Sequence, residues 1–332
     1  MRLSIGVPAY NQGSFLRQTL ESILRQDIPF HEIVVSDNHS TDSTAEVIAA
    51  VQLEHPGRIR RVVPPTHLTM VGNWNFTTSQ LEGEWVSLLS SDDLVRPNFV
   101  RSAQQAIARS SNSVVLRAAW RNIDMDGKPI DDRYLLSVAS VSKPETTLYE
   151  QRFGPKASFA AFALRKDIWQ KVGGFPEEVA LIGDWGMWLL AGSLGDTVYT
   201  SDIISEYRVG HQAEVIRRRM HTQIGEMFTI FDSIMPRATE LAGLGRPAWI
   251  ARSSRESFRN TLAAISREWA PGDRAQMVAA FQPWAEATGQ QPLLREFEHG
   301  KVFRQFNLFK SLKPRLRQAY LALRRPGHAV SL

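Results

Sequence analysis

The 332-residue chain has no cysteine, which excludes structural disulfides, thiolate nucleophiles and thiolate zinc sites. That composition suits a reducing cytoplasm. There is no run of about 18 apolar residues, the length a spanning helix needs, so no membrane-crossing helix is expected. Met1 to Pro8 is too short and too soon broken for a secretory leader and reads as a strand. No Gly-x-Gly-x-x-Gly follows that strand and no Gly-Lys-Ser/Thr occurs. Dinucleotide-dependent redox chemistry and P-loop hydrolysis are therefore disfavoured. Acidic residues are missing after Glu298, where Lys301, Arg304, Lys310, Lys313, Arg315, Arg317, Arg324 and Arg325 follow. Those eight cations exceed the whole net charge of +5, so the body before them is net acidic.

Hydrophobic residues at 43% and charged residues at 22% mark a globular chain. The first half alternates strand and helix. Strands are expected at Leu3–Val7, Glu32–Ser36, Arg61–Val63, Trp85–Leu89 and Ser113–Trp120. Helices are expected from Phe15 to Leu24, from a Ser43/Glu46 capping box to Val51, over Val71–Leu81, and after Pro97. Such alternation predicts a mostly parallel sheet covered on both faces, with ligands beyond the carboxyl ends of its strands. Residues 124–156 are irregular, with a turn at Asp126-Gly127. Ser158–Leu164 reads as a strand, Lys166–Val172 and Trp185–Leu194 as helices, and Thr197–Thr200 and Ile203–Arg208 as strands. Beyond His211 the pattern is helical.

Three polar segments follow strands and belong on one rim: Pro8-Ala9-Tyr10-Asn11, Asp37-Asn38-His39-Ser40 and Ser90-Ser91-Asp92-Asp93. An acidic rim would repel a diphosphate unless a divalent cation lay between them. Asp92 can supply that bridge, because Mg2+ or Mn2+ accepts carboxylate and phosphate oxygens together.

These segments resemble the family-2 glycosyltransferases with the GT-A fold. Gly72-Asn73-Trp74-Asn75 with Glu82-Gly83-Glu84-Trp85-Val86 is similar to the segment before the acidic motif in one branch of that family. Gly173-Gly174-Phe175 with Gly183-Asp184-Trp185 resembles its acceptor-side motif. The likeness spans roughly residues 1–211. It implies an α/β, Rossmann-like mixed sheet, mostly parallel and flanked by helices, as a catalytic domain over 1–211, with a helical C-terminal region over 212–332. It implies an inverting transfer of a sugar from a UDP- or dTDP-linked donor to a saccharide or lipid-linked acceptor, in polysaccharide or glycolipid assembly. Pro8, Tyr10, Asn11, Asp37, Asn73 and Ser91 would hold the nucleotide. Asp92 and His211 would hold Mg2+ or Mn2+, and Asp184 would be the catalytic base. Two positions depart from the family pattern: Ser90 stands where the Asp-x-Asp motif has its first aspartate, and Gly183 where a glutamate precedes the base.

Each residue has a plainer role beside the functional one. Asp92 and Asp93 could end a strand and cap a helix, Asp37 could close an Asx turn, Tyr10 could be a half-buried core ring, and Asp184 could be an N-cap. His211 could be a plain surface residue, and Trp249, Trp269 and Trp284 core packing. Asp93 is read as a structural partner facing backbone amides. A sugar nucleotidyltransferase would need a basic glycine-rich loop, and Pro8 to Gly13 contains no basic residue. A non-catalytic scaffold draws support from Ser90 and Gly183. In the tail, Val302, Phe303, Phe306, Leu308, Phe309 and Leu312 interleave with basic residues. Residues 301–332 could lie on an anionic membrane surface, giving a cytoplasmic protein a peripheral place on the inner face, or pack on the body as a helix. Nucleic acid is not expected, since no aromatic platform or known module accompanies the charge.

Overall fold

The structure is a computed structural model. It describes residues 1–135, 138–210, 225–245, 247–250 and 291–298, and the single positions 253, 256, 278, 282, 285 and 286. The chain forms two compact units, Met1–Ala251 and Arg252–Leu332. Among the described residues no helix is long and apolar enough to cross a membrane.

The first unit is built on one mixed sheet. Its strands are β1 (Leu3–Ala9), β2 (Ile33–Asp37), β3 (Arg60–Val62), β4 (Trp85–Leu88), β5 (Leu94–Val95), β6 (Ser113–Ile123), β7 (Pro129–Arg133), β8 (Val141–Ser142), β9 (Phe162–Arg165) and β10 (Asp196–Arg208). The order is β3-β2-β1-β4-β9-β6-β10-β5, with β7 on β6 and β8 on β10. β1, β2, β3 and β4 are mutually parallel, as are β6 and β10, and β9 runs antiparallel between β4 and β6. β2 and β4 are buried at every residue, the signature of strands covered on both faces.

Helices α1 (Gly13–Leu24), α2 (Thr44–Glu54) and α4 (Phe99–Ile107) cover one face, where Leu16, Leu20, Ile48, Phe99 and Ala103 join the core. The other core gathers Val71 of α3 (Met70–Gln80), Leu148 of α5 (Pro144–Glu150), Ile168 of α6 (Lys166–Val172), and Trp185 and Trp188 of α7 (Gly183–Gly192). A helical run from residue 225 passes through a π-helical turn (Ile230–Ile234) into α8 (Met235–Leu241), and Ile230, Phe231, Ile234 and Met235 bury on this same core. The expected boundary at 211 lies outside the described residues. In the second unit the described residues include helix α9 (Gln291–Glu298).

Several local expectations change. Ser43 makes no side-chain cap. Asp42 takes the capping work instead, accepting from the Gly13 and Thr44 amides at 3.0 Å each and so joining the starts of α1 and α2. The irregular stretch after Ile123 holds β7, β8 and α5. β9 begins at Phe162 rather than Ser158, and the two strands expected after Thr197 are one, β10, with register breaks between Thr200 and Ser205.

Candidate active site

The β1 and β2 ends form the first part of the rim. Pro8 pairs with Ser36 in the parallel register, which lines up the loops that follow. Asn11 takes a left-handed backbone (φ 54°), a conformation asparagine tolerates better than most residues. Its N–H donates to Ser40 Oγ (3.1 Å) and its Oδ1 accepts from the Thr41 N–H (2.8 Å), so the two loops are tied together. Tyr10 is half exposed, its ring tilted on His67 with centroids 4.7 Å apart. It is a rim residue rather than a core ring. Asp37 is buried. Its Oδ1 accepts from the Ser40 N–H (3.0 Å) and its Oδ2 from Arg61, so it does close the turn. Asn38 fixes the next wall by pairing both amide atoms with the backbone of Leu68. Asn73 is buried, and its Oδ1 accepts from Ser36 Oγ (2.6 Å), which holds α3 against β2.

The acidic turn lies on the same rim. Thr19 Oγ1 reaches the carbonyls of Ser91 (3.0 Å) and Asp93 (2.9 Å) and holds the turn to α1. The two carboxylates part ways. Asp92 is partly exposed. Asp93 is buried; its Oδ1 accepts from the Arg208 N–H (2.8 Å), while Oδ2 has no partner. Burial, and then the neighbouring Asp92, push the Asp93 carboxyl well above the ordinary aspartate range. Burial of this kind favours the protonated acid over the carboxylate. Arg208, at the end of β10, holds the whole corner. Its guanidinium donates to the carbonyls of Asp92 (2.9 Å), Asp124 (3.1 Å) and Met125 (2.8 Å) and to Gln18 Oε1 (3.0 Å), above the Phe15 ring. Sequence reasoning passed over Arg208 in favour of His211, which lies outside the described residues.

Among the described residues no three histidine, aspartate or glutamate side chains converge as a metal cage. A Mg2+ or Mn2+ ion carried largely by phosphate oxygens and water needs only one or two carboxylates. Asp92, on the rim with its neighbour turned inward, fits that donor set.

The third part is Asp184. The loop before it turns through two left-handed glycines, Gly173 (φ 87°) and Gly174 (φ 89°), and a Cβ at Gly174 would lie 2.7 Å from Asn75 Oδ1. Asn75 Oδ1 accepts from the Phe175 N–H (2.7 Å) and Asn75 Nδ2 donates to the Phe175 carbonyl (2.9 Å). Trp74 packs against Phe159 and Phe175. The Asn-Trp-Asn segment therefore braces the loop before Asp184. Gly183 sits against this brace, where a Cβ would lie 3.2 Å from Val71 and 3.6 Å from Trp74, so a glutamate would crowd α3. A carboxylate still reaches the loop. Glu226 accepts from the amides of Ala180 (2.9 Å), Leu181 (2.7 Å) and Ile182 (3.1 Å).

Asp184 lies inside the first turn of α7, whose N-cap is Ile182, so it is not the capping residue. The adjacent Trp185 N–H donates to its Oδ1 (2.8 Å). Burial pushes its carboxyl up to about 6, the range in which a carboxylate can accept a proton near neutral pH. It borders a cavity of about 350 Å³ shared with Trp120, Asn122, Arg133, Phe159 and Tyr207. The Tyr207 phenol is raised by burial and by the charges of Asp93, Asp92 and Asp184. The acidic turn and Asp184 thus lie near enough to Tyr207 for their charges to act on one phenol.

The family model described as Glycosyl transferase family 2 matches residues 4–173. The chondroitin synthase of Pasteurella multocida is 25% identical over 235 residues, covering 71% of this chain and 23% of its own length. The poly(ribitol-phosphate) beta-N-acetylglucosaminyltransferase TarS of Staphylococcus aureus is 27% identical over 189 residues, covering 54% of this chain and 30% of its own. This chain thus spans less than a third of the length of these relatives. In structure it resembles S. aureus TarS 1–349 in complex with UDP-GlcNAc (TM-score 0.58, 18% identity, 92% of each chain covered). It also resembles the mannosyltransferase PcManGT of Pyrobaculum calidifontis in complex with GDP-Man and Mn2+ (TM-score 0.55, 16% identity, 91% of this chain and 87% of that one covered). These likenesses bear out the GT-A-type fold. With its family model matched over half its length, the chain belongs to glycosyl transferase family 2.

Proposed function

We propose that this protein transfers a sugar from a nucleoside-diphosphate donor, UDP- or dTDP-linked, to an acceptor hydroxyl with inversion, in the assembly of a surface polysaccharide or glycolipid. The observation that carries this reading is that Asp184 borders a cavity large enough for a sugar, shared with Tyr207, whose phenol also feels the charge of Asp92. Tyr10, Asn11 and Asp37 line the nucleoside end, with Pro8 and Ser91 shaping the loops. Asn73 acts through Ser36. Asp92, with His211, would hold a Mg2+ or Mn2+ ion, which would supply positive charge to offset that of the leaving diphosphate. Asp184 takes the proton from the acceptor hydroxyl. The new bond to the anomeric carbon forms as the bond to the diphosphate oxygen breaks on the opposite face, which inverts configuration without a second carboxylate at that carbon.

Arg208 supports the donor side by fixing the turn that presents Asp92. Glu226 and Asn75 support the acceptor side by fixing the loop before Asp184. The empty family positions at Ser90 and Gly183 do not argue for a scaffold, since Gly183 packs closely on Val71, where a Cβ would lie at 3.2 Å, and Asp92 and Asp184 remain. The test is release of UDP or dTDP from a panel of sugar nucleotides, with Mn2+ and with EDTA. Metal-dependent release that is lost in both Asp92→Asn and Asp184→Asn, with nucleotide binding lost only in the first, supports the assignment. Release insensitive to EDTA and to both substitutions sinks it.

A further inference from the structure

The cavity beside Asp184 is floored by one face of a hairpin. β6 and β7 pair antiparallel, with Trp120 opposite Arg133 and Asn122 opposite Asp131. Side chains directly opposite, or two apart on one strand, share a face. These four therefore form a single row, and they are linked in series. Trp120 Nε1 donates to Asn122 Oδ1 (3.1 Å), Asn122 Nδ2 donates to Asp131 Oδ1 (2.8 Å), and Arg133 Nη2 lies 3.0 Å from Asp131 Oδ2. The parallel neighbour β10 sets Tyr207 beside Asn122. The alternate residues Arg121 and Asp132 pair with each other on the opposite face.

Arg133 is the one residue of fixed positive charge among those lining the cavity, and its side chain is 44% exposed. Asp131 holds it in place, but one contact leaves most of a five-donor guanidinium available, in a planar fork that matches carboxylate and phosphate oxygens. Trp120, with its N–H spent on Asn122, presents a ring suited to the C–H face of a sugar. The rim is otherwise acidic at Asp92 and Asp184. An acidic acceptor would be repelled there unless a cation on the acceptor side offset that field.

We propose that this row is an acceptor subsite for a saccharide bearing an anionic group, carboxylate or phosphate, in which Arg133 reads the charge and Trp120 the ring. The proposal rests on the reading of Asp184 as the base that faces the acceptor.

The test uses the full chain with UDP and Mn2+ present. Calorimetry compares a glucuronate-containing disaccharide, its neutral glucose counterpart and a glycerol-phosphate dimer, on the native protein, on Arg133→Gln and on Arg121→Gln. The expected result is that one or both acidic probes bind at least tenfold tighter than the neutral one. That preference weakens with salt, disappears in Arg133→Gln and persists in Arg121→Gln. The acidic probe that binds tells a carboxylate from a phosphate. Equal binding of acidic and neutral probes, no binding of any probe, an acidic preference that survives in Arg133→Gln, or equal loss in Arg121→Gln overturns it. UDP-sugar hydrolysis by the native protein separates the two readings. Hydrolysis without an acidic preference ends this inference alone, while absence of hydrolysis and of metal-dependent binding for both UDP and dTDP ends the transferase reading with it.

Discussion

The side-chain amide of Asn75 closes both backbone hydrogen bonds of Phe175, 100 residues later in the chain. One side chain thus acts as a strand partner for a loop that two left-handed glycines have turned. Replacing Asn75 with alanine leaves a buried N–H and C=O short of partners, at a cost of about 1–3 kcal/mol. We expect Asn75→Ala to lower thermal stability and to depress transfer far more than UDP affinity. Unchanged transfer in a destabilised variant would separate the clamp from the site.

Asp184 links activity and stability through pH. Its folded pKa of about 6 lies above the ordinary value of 3.8, so ionisation is harder in the folded state. The stabilising preference for the protonated form is full below about pH 4 and is lost as pH rises through about 6. At pH 7.5 the charged carboxylate therefore opposes folding by up to about 3 kcal/mol. Asp184→Asn is expected to raise stability at pH 7.5, to change it little at pH 4, and to abolish transfer. In the native protein the transfer rate should fall on the acid side with an apparent pKa near 6. Denaturant titrations at the two pH values and a pH–rate profile check both statements.

Glu226 binds three consecutive amides with one carboxylate. Charge-assisted bonds of this kind contribute about 1.5–3 kcal/mol each at best. Glu226→Gln keeps one acceptor oxygen and loses the charge, so a loss of about 2 kcal/mol is expected. Hydrogen exchange at Leu181 and Ile182 should accelerate, with UDP affinity unchanged and transfer reduced. Exchange as slow as in the native protein would show that the loop is held by other contacts.

Arg208 cannot be replaced by lysine. A single ammonium cannot span Asp92, Asp124, Met125 and Gln18 as the guanidinium does. Arg208→Lys should weaken metal-dependent UDP binding by about tenfold or more, a difference of about 1.4 kcal/mol, and leave metal-free binding untouched. Equal losses with and without metal would mean that Arg208 supports the fold and not the acidic turn.

The parts of this molecule readable in sequence are those that local pattern determines. The buried strands β1, β2 and β4 are short and mostly apolar, and α1 keeps a helical stripe from Leu16 to Ile23. That the three loops share a rim followed from strand-helix alternation, which implies parallel strands. What stayed hidden depends on contacts across the chain. β7 reads Pro-Ile-Asp-Asp-Arg with no apolar alternation, and its strand state comes from pairing with β6. The capping role passed from Ser43 to Asp42 because Gly13 and Thr44 meet there in space. Arg208 and Glu226 gave no local signal, since each acts on backbone far away in sequence. The Asn-Trp-Asn segment was legible as a motif, yet its work with Ser36 and Phe175 appears only once α3 is packed.

The most direct test of the account is calorimetric titration of UDP and dTDP into the native protein and Asp92→Asn, with Mn2+, Mg2+ and EDTA in parallel. The account predicts that one nucleotide binds the native protein in the presence of metal, and that EDTA or the substitution removes that binding while the fold is retained. Binding equally tight in EDTA and in Asp92→Asn, or no binding of either nucleotide to folded native protein, would contradict it.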